Sequence, residues 1–407
     1  MPQEIEEFGS KNSKTERDEG NLETPTDPEE PAKESSSDVH ALTARIEELS
    51  HGQQETERAL REARTQLGLP PLEVDPPSVL ETRETIAALE LKLASIKERK
   101  ENAEFTQVID QGIERALSQI ADRFERSSVP RDNLAFHNQT HTKDVIRRTD
   151  AILKTIQNAD PALVKDRDRL LGKLAAAFHD TVQNYTEAQV DEKAGDKTYK
   201  KIFRKREIGL NETKSIAEGA SFINAINQER TTSGNQPIFT EQDRTTLNAI
   251  DVTVPGFDPE KGVFQPNLKK ESPPVTRALA LADIGTAGFD GPVKFLPECN
   301  ALFREENFDI AEASAHPETI SEEDKNRFRE RMLKWSAFQI KFVAGRKNLF
   351  ESEIAGLSTT AQKAVREIFT KFDDSMKASE EKSARRQTMT FEALLEDMGF
   401  RKTASTS

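Results

Sequence analysis

The chain has 407 residues, a mean hydropathy of −0.71 and a formal net charge of −14. This length favours one large domain with appendages, and the acidic balance argues against a general nucleic-acid binder. Cys299 is the single cysteine, so no internal disulfide can form, and no apolar run approaches the roughly 20 residues of a membrane span. We therefore expect a cytoplasmic protein without a membrane partner.

The N-terminal region predicts a tail followed by two helices. Residues 1–38 contain too few apolar side chains to offset the entropy of ordering and are predicted to be a disordered acidic tail. Residues 39–103 predict a helical hairpin, because four prolines in GLPPLEVDPPS preclude a continuous helix. In its second helix the apolar residues step 3-4-3 like a coiled-coil seam, at Ile86, Leu89, Leu93 and Ile96. The two helices could fold back on each other or pair between two chains as a homodimer.

Residues 104–400 predict an all-α domain, which a polar tail at 401–407 follows. Helical spacing persists through VIDQGIERALSQIADRF and RLLGKLAAAFHDTV, and no β-hairpin dipeptide joins two β-rich runs. Trp335, Phe338 and Phe342 recur in an amphipathic stretch, a pattern typical of core residues. The fold class is therefore all-α.

Two apolar helices are predicted to end on residues that can bind metal. AAAFHD, residues 175–180, places His179 and Asp180 after a buried run, and ALALADIG places Asp283 after another. A buried carboxylate needs a cation, a hydrogen-bond donor or solvent. Adjacent imidazole and carboxylate groups suit a borderline or hard divalent metal ion. Taken singly, each pattern favours a helix-end cap.

FHNQTH, residues 136–141, adds two histidines from a chain that holds six. His137 and His141 would share one face if the segment is helical. Such a pair can serve one metal ion, or one imidazole can bind metal while the other stands beside the substrate. The alternative is two surface histidines in a polar loop.

Together these segments resemble the H…HD…D pattern of the HD superfamily of metal-dependent phosphohydrolases, over roughly residues 105–350. FHNQTHTKDV is similar to the (Y/F)HNxxHxxDV segment of cyclic-nucleotide phosphodiesterases and of a bacterial-type group of HD phosphohydrolases. NETKSIAEGA, residues 211–220, is similar to the NE-x-x-S-A segment of that second group. The resemblance implies an HD-type helical domain, residues 104–400, that hydrolyses a phosphoester.

The resemblance also implies roles for individual residues. His137 would protonate the leaving oxygen, which histidine can do near neutral pH. Glu212 would orient the attacking water or support the ligands, although a helix-start glutamate is equally compatible with its position. The ion, Mn²⁺, Mg²⁺, Fe²⁺, Co²⁺ or Zn²⁺, would polarise the phosphoryl group and activate water, with Asp180 as both ligand and catalytic residue. The implied ligands are His141, His179, Asp180 and Asp283.

One position departs from the phosphodiesterase pattern. Those enzymes continue HDxxHxG, whereas this chain reads HDTVQNY, with Gln183 in place of the histidine that supports a second metal. One metal ion is therefore favoured, or a second held only by carboxylates and substrate, and a cyclic nucleotide is not assigned as the substrate.

The expected function is hydrolysis of a small phosphorylated substrate, with a nucleotide favoured. Asn138 and two residues of the basic run KTYKKIFRKR, Lys201 and Arg204, are predicted to contact that substrate. The alternative for the run is a solvated helix face. The alternative for the whole chain is a non-catalytic scaffold or regulator with a vestigial HD core and a coiled-coil interaction arm.

Overall fold

A computed structural model describes residues 36–68, 70, 76–194, 197–260 and 262–401. Most of the predicted acidic tail, 1–38, and of the predicted polar tail, 401–407, lies outside the described residues. The all-α fold class is confirmed, because helices make up most of the described chain and its strands form two small two-stranded sheets. The chain divides into two units, Met1–Glu101 and Asn102–Ser407.

The first unit holds α1 (Ser36–Gln66) and the beginning of α2 (Pro77–Phe124), which continues into the second unit. Short 3₁₀ helices occur at Pro130–Asp132, Leu247–Thr253 and Pro317–Thr319. The elements after α2 are α3 (Gln139–Ala159), α4 (Asp166–Phe178), β1 (Tyr185–Ala194), β2 (Lys197–Arg206), α5 (Leu210–Thr232), α6 (Glu241–Thr246), β3 (Gly256–Asp258), β4 (Gly262–Phe264), α7 (Pro274–Asp283), α8 (Thr286–Phe289), α9 (Pro292–Glu306), α10 (Phe308–Ala313), α11 (Glu322–Ile354), α12 (Thr359–Ile368), α13 (Phe372–Gln387) and α14 (Phe391–Asp397).

In the first unit, α1 and the start of α2 lie side by side. Arg83 Nη2 lies 2.9 Å from Glu57 Oε1, and these two residues stand at similar distances from the break between the helices. The helices therefore fold back on each other within one chain. The four predicted seam residues of α2 are half-buried or buried. Pairing between two chains stays a prediction, and α2 runs without interruption through the predicted boundary at residue 104.

The core of the second unit forms where α3, α4 and α7 pack together. Ile152 of α3, Leu174 of α4 and Leu279 of α7 are fully buried. The later part of α2 approaches this core at Gly112, where an added Cβ would lie 2.6 Å from Leu174 and 2.7 Å from Phe222. These distances are below van der Waals contact, so a side chain larger than hydrogen would force the helices apart.

Local sequence sets the ends of the helices that carry the candidate ligands. Asn138 precedes α3, and its Oδ1 accepts hydrogen bonds from the backbone N–H groups of Thr140 (2.9 Å) and His141 (3.2 Å). Asp168 accepts from the backbone N–H of Lys165 at 2.8 Å and caps the start of α4. His141 therefore lies in the first turn of α3. His137 precedes that helix, so the pair does not share a helical face.

β1 and β2 form an antiparallel hairpin, which corrects the expectation that no hairpin occurs and the alternative that the basic run is a helix face. Its strands lack alternating apolar residues. Instead they place opposite charges across from each other, as in the pairs Glu187↔Arg204 and Asp191↔Lys200. Such pairs stabilise a sheet but are visible only once the register is known.

Two asparagines join the base of this hairpin. The backbone N–H of Asn184 donates to Asn211 Oδ1 at 2.9 Å, and Asn211 Nδ2 donates to the carbonyl of Asn184 at 3.0 Å. The chain therefore leaves the core after α4 and returns to α5 at nearly the same point.

Candidate active site

Four side chains from three core helices meet at one point of the second unit. His141 Nε2 lies 3.4 Å from Asp180 Oδ2 and 3.5 Å from Asp283 Oδ1. His179 Nε2 lies 3.0 Å from the same Asp180 oxygen and 3.7 Å from the same Asp283 oxygen. The sequence-predicted ligands are therefore brought together although 142 residues separate the first from the last.

The facing atoms of this group have no hydrogen-bond partners. His141 Nε2, His179 Nε2 and Asp180 Oδ2 are all buried and unpaired. His179 Nδ1 lies 2.7 Å from the carbonyl of Ala176, so a neutral ring donates from Nδ1 and keeps a lone pair on Nε2. One ligand atom each from His141, His179 and Asp283 lies within 4.8 Å of the others. Buried imidazole and carboxylate atoms that converge in this way are costly without a proton or a cation between them, and this donor set fits a divalent metal ion.

The local electrostatics favour positive charge at this point. Burial disfavours the charged imidazole of His141, but Asp180 and Asp283 outweigh it and raise the pKa of His141 to about 9. The same balance raises the pKa of His179. Burial raises the pKa of Asp180, but the neighbouring histidines hold it well below its ordinary value. The Asp180 carboxylate therefore remains anionic and attracts a cation.

Two amides support the carboxylates. Gln183 is buried, and its Nε2 donates to Asp180 Oδ1 at 2.7 Å, which leaves Oδ2 for the histidines. Gln265 Nε2 lies 3.5 Å from Asp283 Oδ2. The residue that replaces the second histidine of the phosphodiesterase pattern therefore orients a carboxylate.

His137 stands beside this centre and pairs with Glu305. Their Nδ1 and Oε1 atoms lie 2.5 Å apart, and Glu305 Oε2 also accepts from the backbone N–H groups of Phe136 (2.9 Å) and His137 (3.1 Å). Burial raises the pKa of Glu305, but the charge and hydrogen bonds of His137 outweigh it and lower that pKa to about 2. Glu305 therefore stays ionised and fixes the orientation of the imidazole.

The centre lies at the wall of a cavity of about 510 Å³. His137, Asp180, Asp283 and Glu212 line one part of it, and an aromatic wall lines another. That wall includes Phe295, Phe342, Phe338 and Trp335; the rings of Phe295 and Phe342 are stacked at 5.8 Å. The three aromatic residues of α11 that were expected in the core are half-buried: Trp335 and Phe342 pack against the hydrophobic core, and all three also line the cavity.

Glu212 and Asn138 have structural contacts. Glu212 Oε2 accepts from the backbone N–H of Gly209 at 2.6 Å and so caps α5, while the residue also lines the cavity. Asn138 caps α3, and its Nδ2 donates to the carbonyl of Ala135 at 2.9 Å. A role in water orientation for Glu212 and a substrate contact for Asn138 stay predictions.

The two predicted basic contacts differ in position. Arg204 lines the cavity, but its guanidinium stacks on Tyr185 at 3.6 Å and Phe308 at 4.9 Å and donates to the carbonyls of Arg131 and Glu305. Lys201 is not among the described residues that line the cavity. Burial lowers the pKa of Lys201, whose ammonium lies 5.3 Å from the Phe203 ring. Lys205 and Arg206, the next residues of β2 and members of the same basic run, also line the cavity.

Comparison with known proteins finds no family model that matches the chain, and no curated protein or solved structure is significantly similar to it. The resemblance to HD phosphohydrolases therefore depends on the motifs, and the geometry of the four side chains is independent of it. Among the helices of the described ranges, none combines the length and apolar character that a bilayer span requires.

Proposed function

We propose that this chain is an HD-type metal-dependent phosphohydrolase that cleaves a phosphoester of a nucleotide or similar small molecule. The observation that carries the proposal is the convergence of unpaired, buried imidazole and carboxylate atoms at the wall of a cavity. The order of these residues along the chain, H…HD…D, supports the same class of enzyme.

His141, His179, Asp180 and Asp283 would hold the ion. When bound, a divalent ion supplies Lewis-acid polarisation of a phosphoryl oxygen and activation of water. A site with mixed nitrogen and oxygen donors does not discriminate strongly among Mn²⁺, Mg²⁺, Fe²⁺, Co²⁺ and Zn²⁺. Gln183 holds the carboxylate of Asp180 in one orientation before any substrate binds.

His137 supplies the proton for the leaving oxygen. It lines the cavity, and Glu305 accepts from its Nδ1. The anionic carboxylate stabilises the imidazolium and leaves the second ring nitrogen to donate a proton. This pairing assigns proton transfer to His137 and ion binding to His141.

The aromatic wall supports a substrate with a planar ring. Aromatic side chains stack on nucleobases, and small-molecule sites combine such walls with a few polar groups. Gln339 is buried, lines the same cavity and has an unpaired Nε2, which can donate to a ring acceptor. A nucleotide offers both the ring and the phosphoester.

The test combines metal analysis with hydrolysis of a nucleotide panel in several divalent ions. His179→Ala and Asp180→Ala should each lose stoichiometric metal and hydrolysis. His316→Ala is the matched control, because that histidine is exposed and its ion pair in the described chain is with Glu318 at 3.7 Å, away from the site. Hydrolysis retained in both site variants would overturn the assignment. A wild-type chain without bound metal or hydrolysis would favour the scaffold instead.

A further inference from the structure

We propose that the end of β2 forms a second anion subsite in the cavity, where Arg206, assisted by Lys205, binds a phosphate-like group of the substrate other than the one that is cleaved. The inference rests on the proposed function and narrows its substrate class. The substrate would then be a nucleotide with two separated anionic groups, such as a nucleoside bisphosphate or a dinucleotide.

Arg206 is the first observation. It is half-buried, lines the cavity, and its Nε is buried without a hydrogen-bond partner. Within the described part of the chain, no carboxylate forms an ion pair with its guanidinium, whereas Arg346 on α11 pairs with Glu353 at 2.5 Å. A guanidinium withdrawn from water without an anion is costly, and phosphate matches its donor geometry.

Lys205 adds a second positive charge. It is exposed, lines the cavity and forms no ion pair among the described residues. Two other lysines nearby are engaged, since Lys200 pairs with Asp191 and Lys214 lies 3.7 Å from Glu207. Lys201 on the same strand has no ion pair in the described chain, but it is not among the residues that line the cavity. The unpaired cations of this hairpin end therefore coincide with the cavity.

Apart from Glu306, the acidic residues of the cavity make their contacts elsewhere. Asp180 and Asp283 face the candidate metal position, Glu212 caps α5, and Glu298 accepts from Thr286 Oγ1 at 2.7 Å. Glu306 is the acidic group whose charge reaches Arg206. Burial raises its pKa to about 6 although Arg206 opposes the rise, and it forms no ion pair with Arg206 among the described contacts.

Two anchors hold the hairpin in place. Arg204 contacts the rings of Tyr185 and Phe308 at one end of the strands. Farther along, Glu192 Oε2 lies 2.6 Å from Arg331 Nη2 of α11. Since both strands are fixed to the helical body, Arg206 is held at the cavity before a ligand binds, which lowers the entropic cost of binding.

The test uses Trp335, the only tryptophan of the chain, as a fluorescence reporter of cavity occupancy. Nucleoside 5′-monophosphates of the common bases and the matching 3′,5′-bisphosphates are titrated into the full chain in chelator, which prevents hydrolysis. For at least one base, the bisphosphate should bind about tenfold more tightly, as expected for one additional charge-assisted contact.

Arg206→Gln should remove most of this preference and leave monophosphate binding unchanged, whereas Arg206→Lys should keep part of it. Lys205→Gln should give a smaller loss, about threefold, because that side chain is exposed. Lys200→Gln is the control on the same strand and should behave as wild type. Melting temperatures of all variants identify any loss of folding.

Equal affinity for both ligands in the wild type, no binding of either, or an unchanged preference in Arg206→Gln would overturn the subsite. If added inorganic phosphate gives the monophosphate the affinity of the bisphosphate, the anion is a separate ligand, and its assignment to the substrate is overturned. Hydrolysis is measured separately with metal. If the bisphosphate binds more tightly but no nucleotide is hydrolysed, only the proposed function is overturned. If nucleotides are hydrolysed but the bisphosphate does not bind more tightly, only the subsite is overturned.

Discussion

Gln183 donates its side-chain amide to Oδ1 of Asp180 over 2.7 Å. The contact leaves the other oxygen, Oδ2, at 3.4 Å from His141 Nε2 and 3.0 Å from His179 Nε2. An imidazole in place of this amide could offer a lone pair to a second ion, whereas the amide nitrogen cannot. In the proposed metal centre this pair favours a single ion, because one carboxylate oxygen is already held by protein.

We expect about one divalent ion per chain, and a weaker site when the amide is removed. Gln183→Leu should lower metal affinity by about 10- to 100-fold, because an unsupported carboxylate loses its orientation. Metal titration followed by elemental analysis measures both effects. Gln228→Leu, in an exposed part of α5, is the control. Two equivalents of tightly bound ion in the wild type would contradict the mononuclear centre.

The two histidines of FHNQTH, His137 and His141, should have different functions, proton transfer and metal binding respectively. His137→Asn should keep the metal and lower the hydrolysis rate by about 10²- to 10⁴-fold, the usual contribution of a general acid. His141→Asn should lose the metal, because it removes one of two imidazole donors. Metal content and single-turnover rates, measured on the same preparations, check the division. Loss of metal in the His137 variant would show that this histidine is a ligand.

Glu305 should stabilise the fold in a pH-dependent manner. Its pKa is about 2 in the folded protein against an ordinary 4.5, a difference on the order of 3 kcal/mol. Because the folded pKa is depressed, this contribution is fully present above pH 4.5 and is lost as the pH falls through about 2. Denaturant unfolding of wild type and Glu305→Gln should therefore differ at pH 7 and converge in acid.

Glu318→Gln is the control for this measurement, since that side chain is exposed and, among the described residues, its ion pair is with the exposed His316. A difference between wild type and Glu305→Gln that stays constant from pH 7 to acid would show that the carboxylate charge does not stabilise the fold. The hydrolysis rate of Glu305→Gln should also fall, because His137 loses its anionic partner.

Asn138 should act chiefly through the start of α3. Asn138→Ala removes the acceptor for two backbone N–H groups and should cost about 1 kcal/mol of unfolding free energy. Asn138→Asp keeps that acceptor and should recover most of the stability. Unfolding curves and KM values for the three proteins separate capping from substrate contact. A KM that rises in both variants, with stability restored in the aspartate, would support the predicted substrate contact.

The helical fold follows from local patterns, whereas the set of four ligands follows from the resemblance to the H…HD…D pattern, since each segment taken singly favours a helix-end cap. His179, Asp180 and Asp283 each follow an apolar run that has to be buried, so their polar groups had to share the ends of core helices. The cap residue before His141 is equally visible in the sequence, because asparagine at that position is a common helix start. The helix ends therefore carry much of the information about the site.

Other parts depend on contacts between distant residues. Glu305 pairs with His137 across 168 residues, and neither neighbouring sequence indicates the pair. The β1–β2 hairpin depends on charge pairs across strands, which single-strand periodicity does not detect. Trp335 and its neighbours have the spacing of core residues, and only the packing of α11 shows that a cavity faces them.

The two hydrogen bonds between Asn184 and Asn211 close the β1–β2 hairpin at its base, where it joins the helical domain. The chain before β1 and the chain after β2 are held together by these side-chain and backbone contacts. Replacement of the two strands therefore leaves the path of the core helices unchanged. Sequence change in this segment can alter the residues that line the cavity while the helices that carry the candidate ligands stay the same. In the proposed enzyme, substrate selectivity can therefore evolve separately from the chemistry.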